Sequence, residues 1–160
     1  MNEQEKLFLS LMEQHKQVIY KVCFMYASDD ETINDLFQEV TLILWKGFPH
    51  FRGDSKPVTW VYRIAVNTCV SWLRSSTRRP LTTPLTLSMT DLMADEQEKE
   101  NLRELYALIN RLGTLERALI LLWLDERSYE EIAEILDISV SNVGVRINRI
   151  KTKLKSMSNN

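Results

Sequence analysis

Glycine, proline, cysteine and histidine are all scarce in this 160-residue sequence: four Gly, four Pro, two Cys and two His. With so few glycines there is no Gly-rich phosphate loop, and nucleotide chemistry of that kind is not expected. His15 and His50 have no ligand-spaced partners, which argues against a metal site or a catalytic histidine. Cys23 and Cys69 lie far apart, each within an apolar helical pattern. They read as buried reduced thiols, consistent with a cytoplasmic protein. No apolar run approaches the roughly 18 residues a membrane span needs. The opening segment "MNEQEKLFLSLMEQHK" carries charges on both sides of short apolar pieces, so a signal peptide is not expected. No run of alternating β-branched residues occurs. Acidic pairs such as Asp29–Asp30 sit at helix starts, where capping accounts for them. An enzyme is therefore not expected, and neither is a cofactor.

The sequence does have charge, 26% of its residues, against 44% hydrophobic ones. The net value of −2 argues against a generic nucleic-acid binder. Its distribution is uneven. Residues 46–79 hold seven Lys and Arg against one Asp, and residues 137–160 hold five against one. Two basic segments are embedded in an acidic protein. Each is either a solvated face or a footprint on phosphate.

Helical periodicity covers the first half. One helix spans about 3–27, with Leu7, Leu11, Val18, Val22 and Met25 near helical spacing. "SDDET" breaks it, with Asp29 or Asp30 capping a second helix over about 31–46. Gly47 and Pro49 end that helix, and a third runs from Pro57 or Val58 to Ser75. The stretch from Ser75 to Lys99 turns to Ser, Thr and Pro without a stripe, a linker signature that could reach several tens of Å. Helices then resume. Leu102, Leu105, Leu108, Ile109 and Leu112 form a stripe ended by Gly113. Thr114 reads as the next N-cap, and Ser128 with Glu131 as a capping box. The expectation is an all-α protein of two small helical domains joined by a flexible linker: residues 1–76, a linker at 77–94, and 95–160.

"SYEEIAEILDISVSNVGVRINRIKTKLK" fits a helix-turn-helix. Ile132, Leu136 and Ile138 are apolar, and Ala133 is small where two helices cross. In the last helix Val140, Val143, Ile147, Ile150 and Leu154 form one face. Asn142, Arg146, Arg149 and Lys153 form another, able to reach base edges or phosphate in a major groove. In the third helix Val61, Ala65, Thr68 and Trp72 gather on a core face, while Thr59, Arg63, Asn67 and Arg74 share a second arc with Trp60 at its border. Cations beside an indole suit a strand with exposed bases. The preceding loop, His50 and Arg52 to Lys56, could pocket one such base.

The run from Asp35 to Arg79, followed by a linker and "LERALILLWLDERSYEEIAEILDISVSNVGVRINRIK", resembles a bacterial extracytoplasmic-function RNA polymerase sigma factor over nearly its whole length and in family order. The resemblance implies that "DLFQEVTLILWK" docks on the largest subunit of core RNA polymerase, through Asp35, Gln38, Glu39, Leu42, Ile43 and Trp45. It implies that Arg52, Ser55, Lys56, Thr59, Trp60, Arg63, Asn67 and Arg74 read the minus-ten promoter element as single strand. Ser141, Asn142, Arg146, Arg149, Lys151 and Lys153 would read the minus-thirty-five element as duplex. The linker would pass near the polymerase active centre. Gly144 departs from the family, many of whose members carry an Arg there. A Gly there costs about 1 kcal/mol of helix propensity and could admit a phosphate close to the backbone.

The implied function is promoter-specific transcription initiation, with core polymerase and promoter DNA as partners and a membrane-tethered anti-sigma factor as inhibitor. The chain itself would be a cytoplasmic monomer without membrane insertion. The competing reading is a stand-alone helix-turn-helix regulator that binds its operator without polymerase.

Overall fold

The computed structural model describes residues 1–27, 29–75 and 96–158, with backbone alone at residue 30, 96–99 and 101–103. The expected linker at 77–94 lies outside the described residues, as does the Leu102 side chain. Among the described residues there is no strand. Helices α1 (Glu3–Tyr26), α2 (Asp30–Gly47), a short 3-10 turn (Phe48–His50) and α3 (Pro57–Ser75) make the first unit. Helices α4 (Glu96–Ile109), α5 (Thr114–Leu124), α6 (Tyr129–Leu136) and α7 (Val140–Ser158) make the second.

Local signals set most of the boundaries. Asp29 caps α2, its carboxylate accepting from the Thr32 N–H at 2.7 Å. Asn2 does the same for α1 through the Glu5 N–H, and Ser128 for α6 through the Glu131 N–H. Thr114 is not the cap of α5. Gly113 holds that position, and the Glu116 carboxylate reaches back to accept its N–H at 3.0 Å. Glu116 can make this bond three residues into the helix, so no hydroxyl is needed at the cap. Asp137 ends α6 in the left-handed region at φ 56°, which turns the chain sharply into α7.

In α1 the buried stripe is Phe8, Leu11, Ile19 and Val22 to Tyr26, whereas Leu7 is 54% exposed. The stripe assigned from sequence was one residue out of phase at its start, because Phe8 packs edge-on against Trp45 and Phe48, with centroids 5.0 and 5.5 Å away. In α7 Val143, Ile147 and Ile150 are buried, and Val140 stays exposed at the first helical turn. Cys23 and Cys69 are both free and fully buried, as expected for reduced thiols. Packing of α1 on α3 brings them together, and a hydrogen bond with Cys23 and burial push the Cys69 thiol up.

The two units also pack on each other, and buried residues of both join in one core. Phe24 meets Tyr106 edge-on with centroids 4.8 Å apart. The Tyr26 hydroxyl donates to the Thr114 carbonyl at 2.7 Å. Arg117, only 6% exposed, donates to the carbonyls of Asn110, Leu112 and Met25 at 2.8, 3.1 and 3.5 Å. Those carbonyls lie at the C-terminal ends of α1 and α4, where helix dipoles favour a cation. Among the described residues no buried side-chain nitrogen or oxygen lacks a partner.

Candidate nucleic-acid interface

Helix α3 is wedged between α1 and α2 on one side and α6 on another. Val61, Tyr62, Ala65, Val66 and Cys69 are therefore buried, and so is Thr59 at 2% exposure. Of the arc expected from sequence, Arg63, Asn67 and Arg74 remain exposed. Thr59 sits beneath them. Asn67 also edges a shallow hollow of about 370 Å³ shared with Ile43, Ile64, Thr68 and Ser71.

Trp60 is half-buried, and its ring stacks on Phe51, with centroids 4.7 Å apart and planes 21° from parallel. Phe48 lies beyond it at 6.5 Å. Gly47 lies against the indole, where a Cβ would meet Trp60 Cζ2 at 3.4 Å, an ordinary contact. One indole face is thus already occupied. The aromatic group anchors the loop that follows, where Arg52, Gly53, Asp54 and Lys56 are exposed and Ser55 is half-buried. Gly53 adopts φ +77°, a left-handed turn that suits glycine. His50 is exposed just before the loop.

On α7 the basic stripe is partly engaged within the protein. Arg146 Nε donates to Asn142 Oδ1 at 3.1 Å. Lys153 pairs with Glu116 at 3.2 Å, and the Lys151 ammonium sits 4.1 Å from the centre of the Trp123 ring. Hydrogen bonds from the Gly113 N–H and from Lys153 hold the Glu116 carboxyl below the usual carboxylate range. Ser141 and Arg149 are exposed. At the N-terminus of α7 the Ser139 hydroxyl accepts the Asn142 N–H at 3.1 Å. Gly144 faces Tyr129 of α6, whose ring carbon would lie 3.4 Å from an added Cβ. Its missing side chain thus meets the partner helix, and a cation there would have to pass Tyr129.

A third surface lies on α2. Asp35, Gln38, Glu39, Leu42 and Trp45 are exposed there and Ile43 is half-buried. Leu42 at 46% and Trp45 at 38% are large apolar groups left uncovered beside two carboxylates. Among the described residues no cluster of His, Cys, Asp or Glu is arranged to hold a metal ion. No helix among them is long and apolar enough to cross a membrane.

Sequence reasoning missed Asp125 and Arg117. Asp125 accepts from Lys21 at 3.1 Å and from the Tyr62 hydroxyl at 2.5 Å, joining α5 to both α1 and α3. No local pattern marks Asp125, which reads simply as the end of a helix. Arg117, a lone cation in the apolar run "ALILLWL" and its approach, was a signal that could have been followed.

Comparison with known proteins agrees with this arrangement. Residues 11–79 match the model described as Sigma-70 region 2, and residues 102–154 the one described as Sigma-70, region 4. The chain is 32% identical to RNA polymerase sigma factor YlaC of Bacillus subtilis, over 91% of this chain and 88% of that one. It is 30% identical to the ECF RNA polymerase sigma-E factor of Escherichia coli K12, over 92% and 84%. In fold it is similar to RpoE bound to the anti-sigma factor NepR from Bartonella quintana (TM-score 0.78, 18% identity, 96% and 98% covered). It is also similar to CnrH in complex with the cytosolic domain of CnrY (TM-score 0.73, 20% identity, 97% and 89% covered). Two sigma-70 regions in order, each on its own helical unit, place this chain in the extracytoplasmic-function RNA polymerase sigma factor family, whose members act with RNA polymerase in transcription initiation.

Proposed function

We propose that the three surfaces divide the work of promoter recognition. The mixed acidic and apolar face of α2 (Asp35, Gln38, Glu39, Leu42, Ile43, Trp45) docks on core RNA polymerase. Arg63, Asn67 and Arg74 of α3, with the loop Arg52–Lys56, hold the minus-ten element as an opened strand. Thr59 and Trp60 support that surface from beneath and from the side. Helix α7 reads the minus-thirty-five element as duplex, through Ser141, Asn142, Arg146 and Arg149, with Lys151 and Lys153 turning from their internal partners to phosphate.

The observation that carries this reading is the exposed Arg63–Asn67–Arg74 stripe beside a loop pinned by the Phe51–Trp60 stack. Cations next to polar groups that can pair with a base edge suit single-stranded DNA. Phosphate contacts dominate such affinities, and an acidic chain with two small basic faces makes few. Free, it binds duplex weakly. Held on polymerase, the second contact becomes effectively intramolecular and much stronger. The protein acts as a cytoplasmic monomer and is restrained by an anti-sigma factor, as RpoE of Bartonella quintana is found in complex with the anti-sigma factor NepR.

The test is permanganate footprinting of promoter melting beside a polymerase recruitment assay. Asn67→Ala should reduce melting about tenfold or more while recruitment changes by no more than about twofold, a loss on the scale of one to three kcal/mol per stacked or paired base. Equal loss in both steps would sink the assignment of α3 to the opened strand.

A further inference from the structure

We propose that Val145 sets part of the promoter specificity by packing against the 5-methyl group of a thymine in the minus-thirty-five element. This rests on the reading that α7 enters duplex DNA at that element, and it names a base contact within that site. Val145 lies in the second turn of α7 and is 47% exposed. With 3.6 residues per turn, Ser141, Val145, Asn148 and Thr152 fall within about 60° of one another. All four are exposed, and their row stands opposite the buried one, Val143, Ile147 and Ile150. It is therefore the line of α7 that reaches deepest into a groove the helix enters.

The cations with internal partners take the flanks. Arg146 and Lys153 stand roughly 90–130° round the helix to one side of the row, and Lys151 about as far to the other. Their partners, Asn142, Glu116 and Trp123, lie on those same flanks. In a major groove about 12 Å wide, flanking cations meet the phosphate walls, and such contacts position a helix without reading sequence. Reading falls to the outward row. Within it, Val145 is the side chain with no polar atom.

That chemistry narrows the base. Thymine presents an apolar group in the major groove, its C5-methyl, whereas the remaining recognition groups there are donors and acceptors. A valine covering a donor or acceptor leaves it without a hydrogen bond. A methyl group gains by leaving water. The side chains one turn from Val145 (Ser141, Asn142, Asn148 and Arg149) are polar, and Gly144 beside it has none. Val145 is thus a single apolar point, too small to be a protein-docking patch. Local structure does not call for it either. A β-branched side chain loses freedom in a helix, and Val145 takes no part in the hydrophobic core.

The experiment uses holoenzyme assembled from the full chain and core polymerase, on a promoter fragment that it transcribes. Each thymine of the minus-thirty-five element, on either strand, is replaced in turn by uracil, which deletes the methyl group alone. Recruitment is measured by gel shift. We expect a position at which uracil weakens wild-type recruitment about fourfold, the size of one buried methyl group. Val145→Ser should lose a similar factor on the thymine fragment and no longer distinguish the two bases at that position. Val140→Ser alters another exposed valine of α7, about 140° away round the helix, and should still distinguish them. Both variants should keep the wild-type circular dichroism and core affinity. The absence of any responsive thymine, responses that all survive Val145→Ser, or a loss of core affinity in that variant would overturn the assignment. Those outcomes leave α7 as the minus-thirty-five reader as long as scrambling the element abolishes recruitment. Indifference to scrambling overturns that reading, and the thymine contact with it.

Discussion

Helices α3 and α7 are each 19 residues long and each carries a basic stripe, yet they hold their cations in different ways. Helix α3 is buried along a broad arc against three neighbours, and its Arg63 and Asn67 project into solvent without an ion pair or hydrogen bond among the described residues. Helix α7 also packs against three helices, α4, α5 and α6, but buries only the narrow row Val143, Ile147 and Ile150, and three of its cations already have partners within the protein. A rigid helix with such groups suits a site formed only when DNA opens, because nothing among the described residues competes for Arg63 and Asn67. Internal partners on α7 engage its cations, and in the proposed reading each exchanges a weak surface contact for a phosphate. Duplex DNA, with its dense row of charge, can drive that exchange.

The largest expected effect separates the two modes of anchoring. Ile147→Ala empties the middle of the single row under α7 and should cost about 3 kcal/mol in urea unfolding. Val66→Ala removes less volume from a helix held on several sides, and about 1 kcal/mol is expected. Comparable losses would mean that α3 and α7 are anchored alike. Next come the cations. Arg149→Ala should weaken promoter recruitment by about tenfold, a cost within the range of one base-reading contact. Lys153→Ala, which also breaks the Glu116 pair, should change recruitment about twofold or less and flatten its salt dependence by about one charge. If Lys153 proved the more costly loss, its internal pairing would be irrelevant to DNA binding.

Much of this architecture can be read from one sequence, and the parts that cannot share a cause. Helix positions follow from periodicity and from caps such as Asp29 and Ser128, which act over three or four residues. The acidic and apolar face of α2 is legible for the same reason. Thr59 looked like part of the exposed arc because helical geometry gives its angle. Its burial depends on neighbouring helices, which that angle does not specify. The Phe51–Trp60 stack and the Tyr129 ring against Gly144 were likewise out of reach, since each joins residues from different elements. Asp125 is the extreme case. Its partners are 63 and 104 residues away in sequence.

The smallest effect concerns pH and the capping of α5. The Glu116 carboxyl titrates below its ordinary value of 4.5 in the folded protein, mainly through the Gly113 N–H. A depressed carboxylate stabilises the fold above its unfolded value, and that contribution is lost as pH falls through the folded one. Glu116→Gln should therefore be less stable than wild type at neutral pH, by on the order of 0.5–1 kcal/mol. The difference should close as the solution is acidified below about pH 4. A gap that widened on acidification would remove Glu116 from this role. The same variant tests whether Lys153 becomes more available to DNA once its partner is neutral.

The central claim is that this chain reads promoter DNA only as part of polymerase. The most direct measurement is a gel shift and run-off transcription on one promoter fragment at physiological salt, with the purified chain alone, core polymerase alone, and both. Specific binding and a defined transcript are predicted only when both are present, with the chain alone showing weak, salt-sensitive association. Tight, sequence-specific binding by the chain alone, undiminished without core polymerase, would contradict the account and mark a stand-alone helix-turn-helix regulator instead.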